Sequence, residues 1–186
     1  FNNVTVRVVA DLEVTLSGPT QVTAGNLNDY TYTYSVCNNG RSNALGVTVN
    51  WTFPEELQFS GPVQINTASP NPIDPVPQCT QDATTGKIEC FGFNLPTPSD
   101  NPNDGLPCQT FSVTVLVAST AQGPTGGPVF IDGYATSDVF DRDSGNNNRT
   151  YEVQVNVIAD IRVTKSGVLS VTAGAPVQTG DRVTIY

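Results

Sequence analysis

Residues 10–25 read ADLEVTLSGPTQVTAG, and residues 159–174 read ADIRVTKSGVLSVTAG. Ten of the sixteen positions are identical, and Ala173 follows its counterpart Ala24 by 149 residues. A fixed internal period is the sequence signature of an array of similar structural units. The chain is therefore predicted to be a tandem repeat with partial flanking units.

The period also sets the expected domain boundaries. One complete unit is expected over residues 10–158. Residues 1–9 match the end of that unit and are predicted to be the closing strand of a preceding one, while residues 159–186 open a following unit. Only a residue or two separates the closing strand from the next opening strand, which predicts a short, stiff connection between units.

The composition favours many short strands joined by turns. The chain has 16 Gly and 14 Pro, is rich in Val and Thr, and contains no amphipathic helical run of useful length. We expect eight or nine strands, no helix, and an all-β, immunoglobulin-like Greek-key β-sandwich. A hairpin is predicted over residues 79–92, with its turn within residues 82–86.

The clearest core strand is predicted by an alternation of apolar with small or polar residues. Leu45, Val47, Val49, Trp51 and Phe53 occupy one parity of this stretch, which is typical of a half-buried strand. Trp51 is the expected centre of the core.

An aromatic stripe precedes this strand, because Tyr30, Tyr32 and Tyr34 share one face of a predicted strand. The stripe fits a core or cross-strand cluster. The second copy, however, has Arg182 and Thr184 at the positions of Tyr30 and Tyr32. That register leaves an outward-facing stripe, packed against a neighbour or a sugar, as an open alternative.

Charge and missing residue types exclude several functions. The formal net charge is −9 with only eight Lys and Arg, which disfavours nucleic acid and anionic lipid as partners. The absence of His removes the commonest general base and zinc ligand. Neighbouring carboxylates such as Glu55 and Glu56 point to opposite faces of an extended strand, so they make a poor glycosidase pair. We predict no enzymatic activity, and no membrane insertion because no run of 18 apolar residues occurs.

The four cysteines are expected to form two disulfides in a chain that has a secreted character. Three pairings are possible; the hairpin favours Cys79–Cys90, which leaves Cys37–Cys108 as a bridge tying the two sheets near one end. A four-thiolate zinc site is the rival. It is disfavoured because zinc sites use cysteines two to four residues apart, whereas the spacings here are 42, 11 and 18.

Three glycosylation sequons occur, at Asn3, Asn50 and Asn148. Asn3 and Asn50 fall on the outward parity of their predicted strands, and Asn148 falls in a predicted turn. All three are candidates for covalent glycans.

One loop is a weak calcium candidate, with Asp141, Asp143 and Asn146 spaced around Gly145. Calcium requires six to eight oxygen ligands, and this loop lacks the closing Glu of an EF-hand. The competing interpretation is a turn stabilised by Asx hydrogen bonds. No other cofactor is indicated.

Together these motifs resemble the repeat known as domain of unknown function 11. The resemblance is carried by ADLxVTxSG and VTAG, then YTYSVCNNG and ALGVTV, and later the Cys–Cys hairpin and DxDxGNN. It covers residues 10–158 and implies an immunoglobulin-like sandwich in large secreted surface proteins, mostly bacterial or archaeal, without enzymatic activity. The chain departs from the family pattern at residues 66–78 and 95–107.

Two functional hypotheses follow. The first is a structural building block of an extracellular filament, pilus-like fibre or surface stalk, which self-associates through covalent tandem repetition or inter-subunit strand complementation. The alternative is an adhesin-type module that recognises a glycan or protein through the loops at 66–78 and 95–107. Both place the chain outside the cell or at its surface.

Overall fold

A computed structural model of the chain describes residues 7–66, 75–98, 108–121 and 126–158. Within these ranges it contains eleven strands and no helix. The predicted opening strands at 159–186 lie outside the described residues, as do positions 1–6 of the predicted closing strand. Residues 7–9 are described and are not part of a strand.

The strands form two sheets, one of five strands and one of six. The five-stranded sheet has the order β1-β3-β9-β5, with β6 also paired to β9, and the six-stranded sheet has the order β2-β11-β10-β4-β8-β7. Their bounds are β1 Leu12–Ser17, β2 Gln21–Thr23, β3 Tyr30–Asn38, β4 Ala44–Thr52, β5 Leu57–Phe59, β6 Gln64–Asn66, β7 Gln78–Asp82, β8 Lys87–Leu95, β9 Cys108–Val117, β10 Gly127–Thr136 and β11 Asn148–Asn156.

This topology is that of an immunoglobulin-like sandwich. The orders β1-β3-β9-β5 and β11-β10-β4 correspond to the A-B-E-D and G-F-C sheets of that fold. The opening strand is divided between the sheets, because β1 pairs antiparallel with β3 whereas β2 pairs parallel with β11. The predicted all-β sandwich is confirmed, and the described residues contain eleven strands where eight or nine were expected. The hairpin turn falls between β7 and β8, as predicted.

Trp51, the predicted centre of the core, is buried on the inner face of β4. Its ring centroid lies 5.4 Å from that of Tyr34 and 4.9 Å from that of Phe53. Aromatic pairs at such separations contribute about 1 kcal/mol each beyond the area they bury. The aromatic contacts therefore join β3 of one sheet to β4 of the other.

The outward alternative for the tyrosine stripe is wrong for Tyr32 and Tyr34. Both are almost completely buried, because even-numbered positions of β3 face the opposing sheet. Burial raises the pKa of both hydroxyl groups. The Tyr32 hydroxyl donates to the carbonyl of Pro19 at 3.1 Å. Tyr30, at the start of the strand, is only half-buried.

The prediction that Leu45 belongs to the core is also wrong. Leu45 is 47% exposed, and Ala44 is buried in its place. The register with β8 shifts between Ala44 and Val47, so the alternation changes parity there. Gly46 adopts a φ of 60° at this bulge, and a Cβ at that position would clash with the carboxylate of Asp138.

Candidate inter-repeat junction

The chain is fixed to the sandwich immediately before β1 by backbone hydrogen bonds to two loops. The N–H of Val9 donates to Ser42 Oγ at 3.2 Å, and the N–H of Ser42 returns a bond to the Val9 carbonyl at 3.1 Å. The N–H of Ala10 donates to the Phe140 carbonyl at 3.0 Å, and that of Arg142 donates to the Ala10 carbonyl at 3.3 Å. The three residues that precede β1 are therefore part of the folded unit.

Asn38, the last residue of β3, is the centre of this arrangement and is completely buried. Its Oδ1 accepts from the backbone N–H groups of Asp11 at 3.2 Å and Gly40 at 3.0 Å. Its Nδ2 shares its two N–H groups among three carbonyl oxygens, those of Ser42 at 2.9 Å, Leu95 at 3.1 Å and Pro96 at 3.1 Å. One side chain thus connects the segment before β1 to the β3–β4 loop and the end of β8.

Asp141 holds the start of β1 from the other side. Its Oδ2 accepts from the N–H of Leu12 at 2.8 Å, and its Oδ1 accepts from the N–H of Asp143 at 2.9 Å. Asn146 adds two bonds, since its Nδ2 donates to Asp11 Oδ1 at 2.9 Å and its carbonyl accepts from the N–H of Val14 at 3.0 Å. We call Asn38, Gly40, Asp141 and Asn146 the N-terminal clamp.

Gly40 belongs to the clamp for a steric reason. A Cβ at this position would lie 2.6 Å from both the Ala10 carbonyl carbon and the Asp11 backbone nitrogen. Real Cβ atoms do not approach backbone this closely, so only glycine fits where the turn after β3 crosses the incoming chain.

The three calcium candidates are all involved in these hydrogen bonds. Asp141 and Asn146 bind the start of β1, and Asp143 Oδ1 accepts from the N–H of Gly145 at 3.3 Å. This is the pattern that the Asx-turn interpretation expected. Asn146 Oδ1 is buried without a hydrogen-bond partner. Among the described residues, no group of three or more His, Cys, Asp and Glu side chains has the geometry to hold a metal ion.

The cysteines are joined as Cys37–Cys108 and Cys79–Cys90, the two pairs that the sequence analysis favoured. Each pair links directly opposite residues on neighbouring antiparallel strands. The expectation that Cys37–Cys108 ties the two sheets together is wrong, because β3 and β9 are neighbours in the same sheet.

The sequons have different surroundings. Asn50 is half-buried within β4, and Asn148 is exposed at the first position of β11, not in a turn as expected. Asn3 lies outside the described residues. Glycosylation itself stays a prediction.

Sequence reasoning missed the role of Asn38, which it assigned to a turn. A signal was present, because Asn38 has the same parity as Tyr32, Tyr34 and Val36, all of which are buried. A polar residue that continues an apolar stripe at the end of a strand is a candidate for a buried capping group.

No protein-family model and no curated protein matches the chain. Solved structures with a similar fold include BcpA, the major pilin subunit of Bacillus cereus, with a TM-score of 0.49 and 12% identity over 77% of this chain and 40% of the pilin. A cohesin module from a Clostridium perfringens glycoside hydrolase has a TM-score of 0.49 and 9% identity, over 80% of this chain and 99% of the module.

A collagen-binding domain from a Staphylococcus aureus adhesin is similar at a TM-score of 0.45 and 11% identity, over 81% of this chain and 99% of that domain. The chain thus spans less than half the length of the pilin and nearly all of the other two. Similarity of this degree allows no conclusion about the function of this chain. Across the described residues, no helix is long and apolar enough to cross a membrane.

Proposed function

We propose that this chain is a structural unit of an extracellular fibre or cell-surface stalk, in which β-sandwich units follow one another and associate end to end. The observation that carries the proposal is the N-terminal clamp combined with the 149-residue period. By that period, Val157 and Ile158 are the counterparts of Val8 and Val9, and the end of β11 at Asn156 corresponds to position 7.

The clamp leaves almost no chain for a linker. Because residues 9–12 are hydrogen-bonded inside the unit that they enter, the single position of Val8 separates one unit's last strand from the next unit's clamp. One or two extended residues span at most about 7 Å. A connection of that length keeps successive sandwiches in contact and in a fixed orientation, unlike a flexible linker.

Exposed apolar side chains lie where such neighbours would meet. Val8 and Phe140, beside the clamp, are 55% and 65% exposed. Leu27 and Ile158 are 91% and 75% exposed. They lie a few residues after Ala24 and Asn156, which are joined by a backbone hydrogen bond at the end of β11. Contact between the two ends of successive units would remove these groups from water.

Other features support the same proposal. Two disulfides are typical of proteins in an oxidising, extracellular compartment. The resemblance to domain of unknown function 11, which implies tandem surface repeats without enzymatic activity, stays part of the proposal. The adhesin alternative would place its contacts on residues 66–78 and 95–107, most of which lie outside the described residues.

Electron microscopy of the material from its native source tests the proposal, with mass spectrometry of the intact chain. Filaments whose subunit mass far exceeds 19.7 kDa are expected for covalent tandem repeats. Filaments built from chains near that mass would mean strand complementation between subunits. Dispersed single particles would contradict the fibre and favour the adhesin.

A linker insertion sharpens the test. A four-residue Gly-Ser-Gly-Ser insertion between Val157 and Ile158 is expected to turn straight filaments into flexible chains of beads. The reason is that the short connection fixes the orientation of successive units. The matched control is the same insertion after Gly61, a half-buried loop glycine at which an added Cβ would meet no atom within 4 Å. Equal flexibility in both variants would contradict the role of the junction.

A further inference from the structure

The outer face of the six-stranded sheet carries a row of three side chains. Tyr134 on β10 is 48% exposed, and its chain neighbours Gly133 and Ala135 are buried on the opposite face. In the register of the sheet, Tyr134 lies directly opposite Asn50 on β4 and Asn148 on β11. An exposed aromatic ring is thus flanked on both sides by an asparagine.

Both asparagines are the acceptor residues of sequons, Asn50-Trp-Thr52 and Asn148-Arg-Thr150. The sequon threonines form the adjacent row, because Thr52 and Thr150 both lie opposite Asp132. Thr150 Oγ1 donates to Asp132 Oδ1 at 2.6 Å. Two complete sequons therefore lie side by side on one face, with β10 between them.

The repeat gives the third sequon a counterpart on this face. By the 149-residue period, Asn3 is the counterpart of Glu152, although Asn3 itself lies outside the described residues. Glu152 is exposed on the outer face of β11 and lies opposite Phe130, which is 49% exposed. The counterpart of the third sequon thus lies on the same face as Asn148, and the β10 residues opposite Glu152 and Asn148, Phe130 and Tyr134, are both exposed aromatics.

We propose that the outer face formed by β4, β10 and β11 is a glycan-bearing surface, with Asn148 and Asn50 as attachment sites and the Tyr134 ring as the platform for the first sugar. Directly opposite residues on neighbouring strands have Cβ atoms about 5 Å apart. A sugar on either asparagine therefore reaches the ring, and its apolar face covers an aromatic group that is otherwise in water.

The covalent step uses an activated lipid-linked oligosaccharide as donor. The Asn148 amide nitrogen attacks the anomeric carbon of the donor sugar, and a C–N bond forms. The C–O bond to the lipid phosphate breaks and the electron pair leaves with the phosphate, while the amide nitrogen loses one proton to a basic group of the transferase that catalyses the step. The same step at Asn50 precedes closure of the sheet, because Asn50 is half-buried on the central strand β4 once folded.

Peptide mapping by mass spectrometry of the protein secreted by its native host tests the attachment. Asn148 and Asn50 are each expected to carry a glycan. Thr150→Ala and Thr52→Ala are each expected to remove the mass of one glycan, whereas Thr150→Ser keeps the sequon and the glycan. Asn148→Gln is a second variant that keeps a carboxamide at the site. Unmodified Asn148 and Asn50 in the secreted protein would overturn the proposal.

The role of Tyr134 has a separate readout. The Thr150→Ala, Thr52→Ala double variant serves as the background without glycans at Asn148 and Asn50. Tyr134→Ala is expected to lower the Tm of the glycosylated protein by roughly 2–4 °C more than it lowers the Tm of this double variant. Phe130→Ala is the matched control, because Phe130 lies opposite Glu152 and not opposite an asparagine. It is expected to give the same shift in both backgrounds. Equal shifts for Tyr134→Ala in both backgrounds would overturn the platform role.

Discussion

The N-terminal clamp and the β7–β8 turn use the same hydrogen-bond chemistry at different distances along the chain. In the clamp, Asn38 and Asp141 accept from backbone N–H groups that are 27 and 129 residues away. In the turn, Asp82 accepts from Thr84 and Thr85, two and three residues away. A long-range cap orders segments that meet only in the folded state, whereas a local cap orders only its own turn.

The clamp is therefore expected to determine tertiary stability and the turn to affect it little. The largest effect is expected for Asn38→Leu. Loss of the side-chain amide leaves buried N–H and carbonyl groups without partners, and each such group costs about 1–3 kcal/mol. We expect the free energy of unfolding, measured by urea denaturation, to fall by about 4 kcal/mol.

Two further variants test the role of Asn38, one at this position and one at its neighbour Asn39. Asn38→Asp keeps the shape but places an acceptor oxygen against the Ser42, Leu95 and Pro96 carbonyls, so it should destabilise at least as much as Asn38→Leu. Asn39→Ala is the neutral control, because Asn39 makes a solvent-exposed bond to Glu13 at 2.7 Å, and exposed contacts to charged groups contribute about 1 kcal/mol or less. Equal losses for Asn38→Leu and Asn39→Ala would contradict the importance of the clamp.

The clamp was much harder to predict than the turn. The β7–β8 hairpin follows from turn residues that adjoin in the sequence, and Trp51 follows from the alternation of its own strand. The roles of Asn38 and Asp141 depend on partners that only the folded topology brings close. Leu45 was misassigned for the same reason, because the bulge at Gly46 packs against Asp138, more than 90 residues away.

The second largest effect is expected for Gly40→Ala. The added methyl group would overlap the Ala10 and Asp11 backbone, and overpacking of this kind costs about 1–3 kcal/mol. The free energy of unfolding is expected to fall by about 2 kcal/mol. The backbone amides just before β1 are expected to exchange their hydrogens with solvent faster than in the wild type. Gly61→Ala is the control, since a Cβ at Gly61 meets no atom within 4 Å. An unchanged exchange rate at Asp11 in Gly40→Ala would contradict the close approach.

A smaller effect is expected for Asp141→Ala, which removes the acceptor for the N–H of Leu12. The net contribution of one intramolecular hydrogen bond is about 0.5–1.5 kcal/mol, and we expect the free energy of unfolding, measured by thermal or urea denaturation, to fall by about 1 kcal/mol. Asp141→Asn retains one acceptor oxygen and is expected to lose about half as much. A calcium-dependent Tm that disappears in Asp141→Ala would instead favour the metal interpretation of this loop.

The smallest effect is expected in the β7–β8 turn, and it depends on pH. The hydroxyl of Thr85 and the backbone N–H of Thr84 hold the pKa of Asp82 below its ordinary value. A carboxylate whose folded-state pKa is lowered stabilises the fold above its unfolded pKa of about 3.9, and that contribution is lost as the pH falls through the folded pKa. Asp82→Asn is therefore expected to lower the Tm slightly at pH 7, and the difference from wild type should shrink as the pH falls below the unfolded pKa and through the folded pKa. Asp29→Asn, on an exposed residue outside both caps, is the matched control. A loss at pH 7 as large as that of Asp141→Ala would contradict the distinction between long-range and local caps.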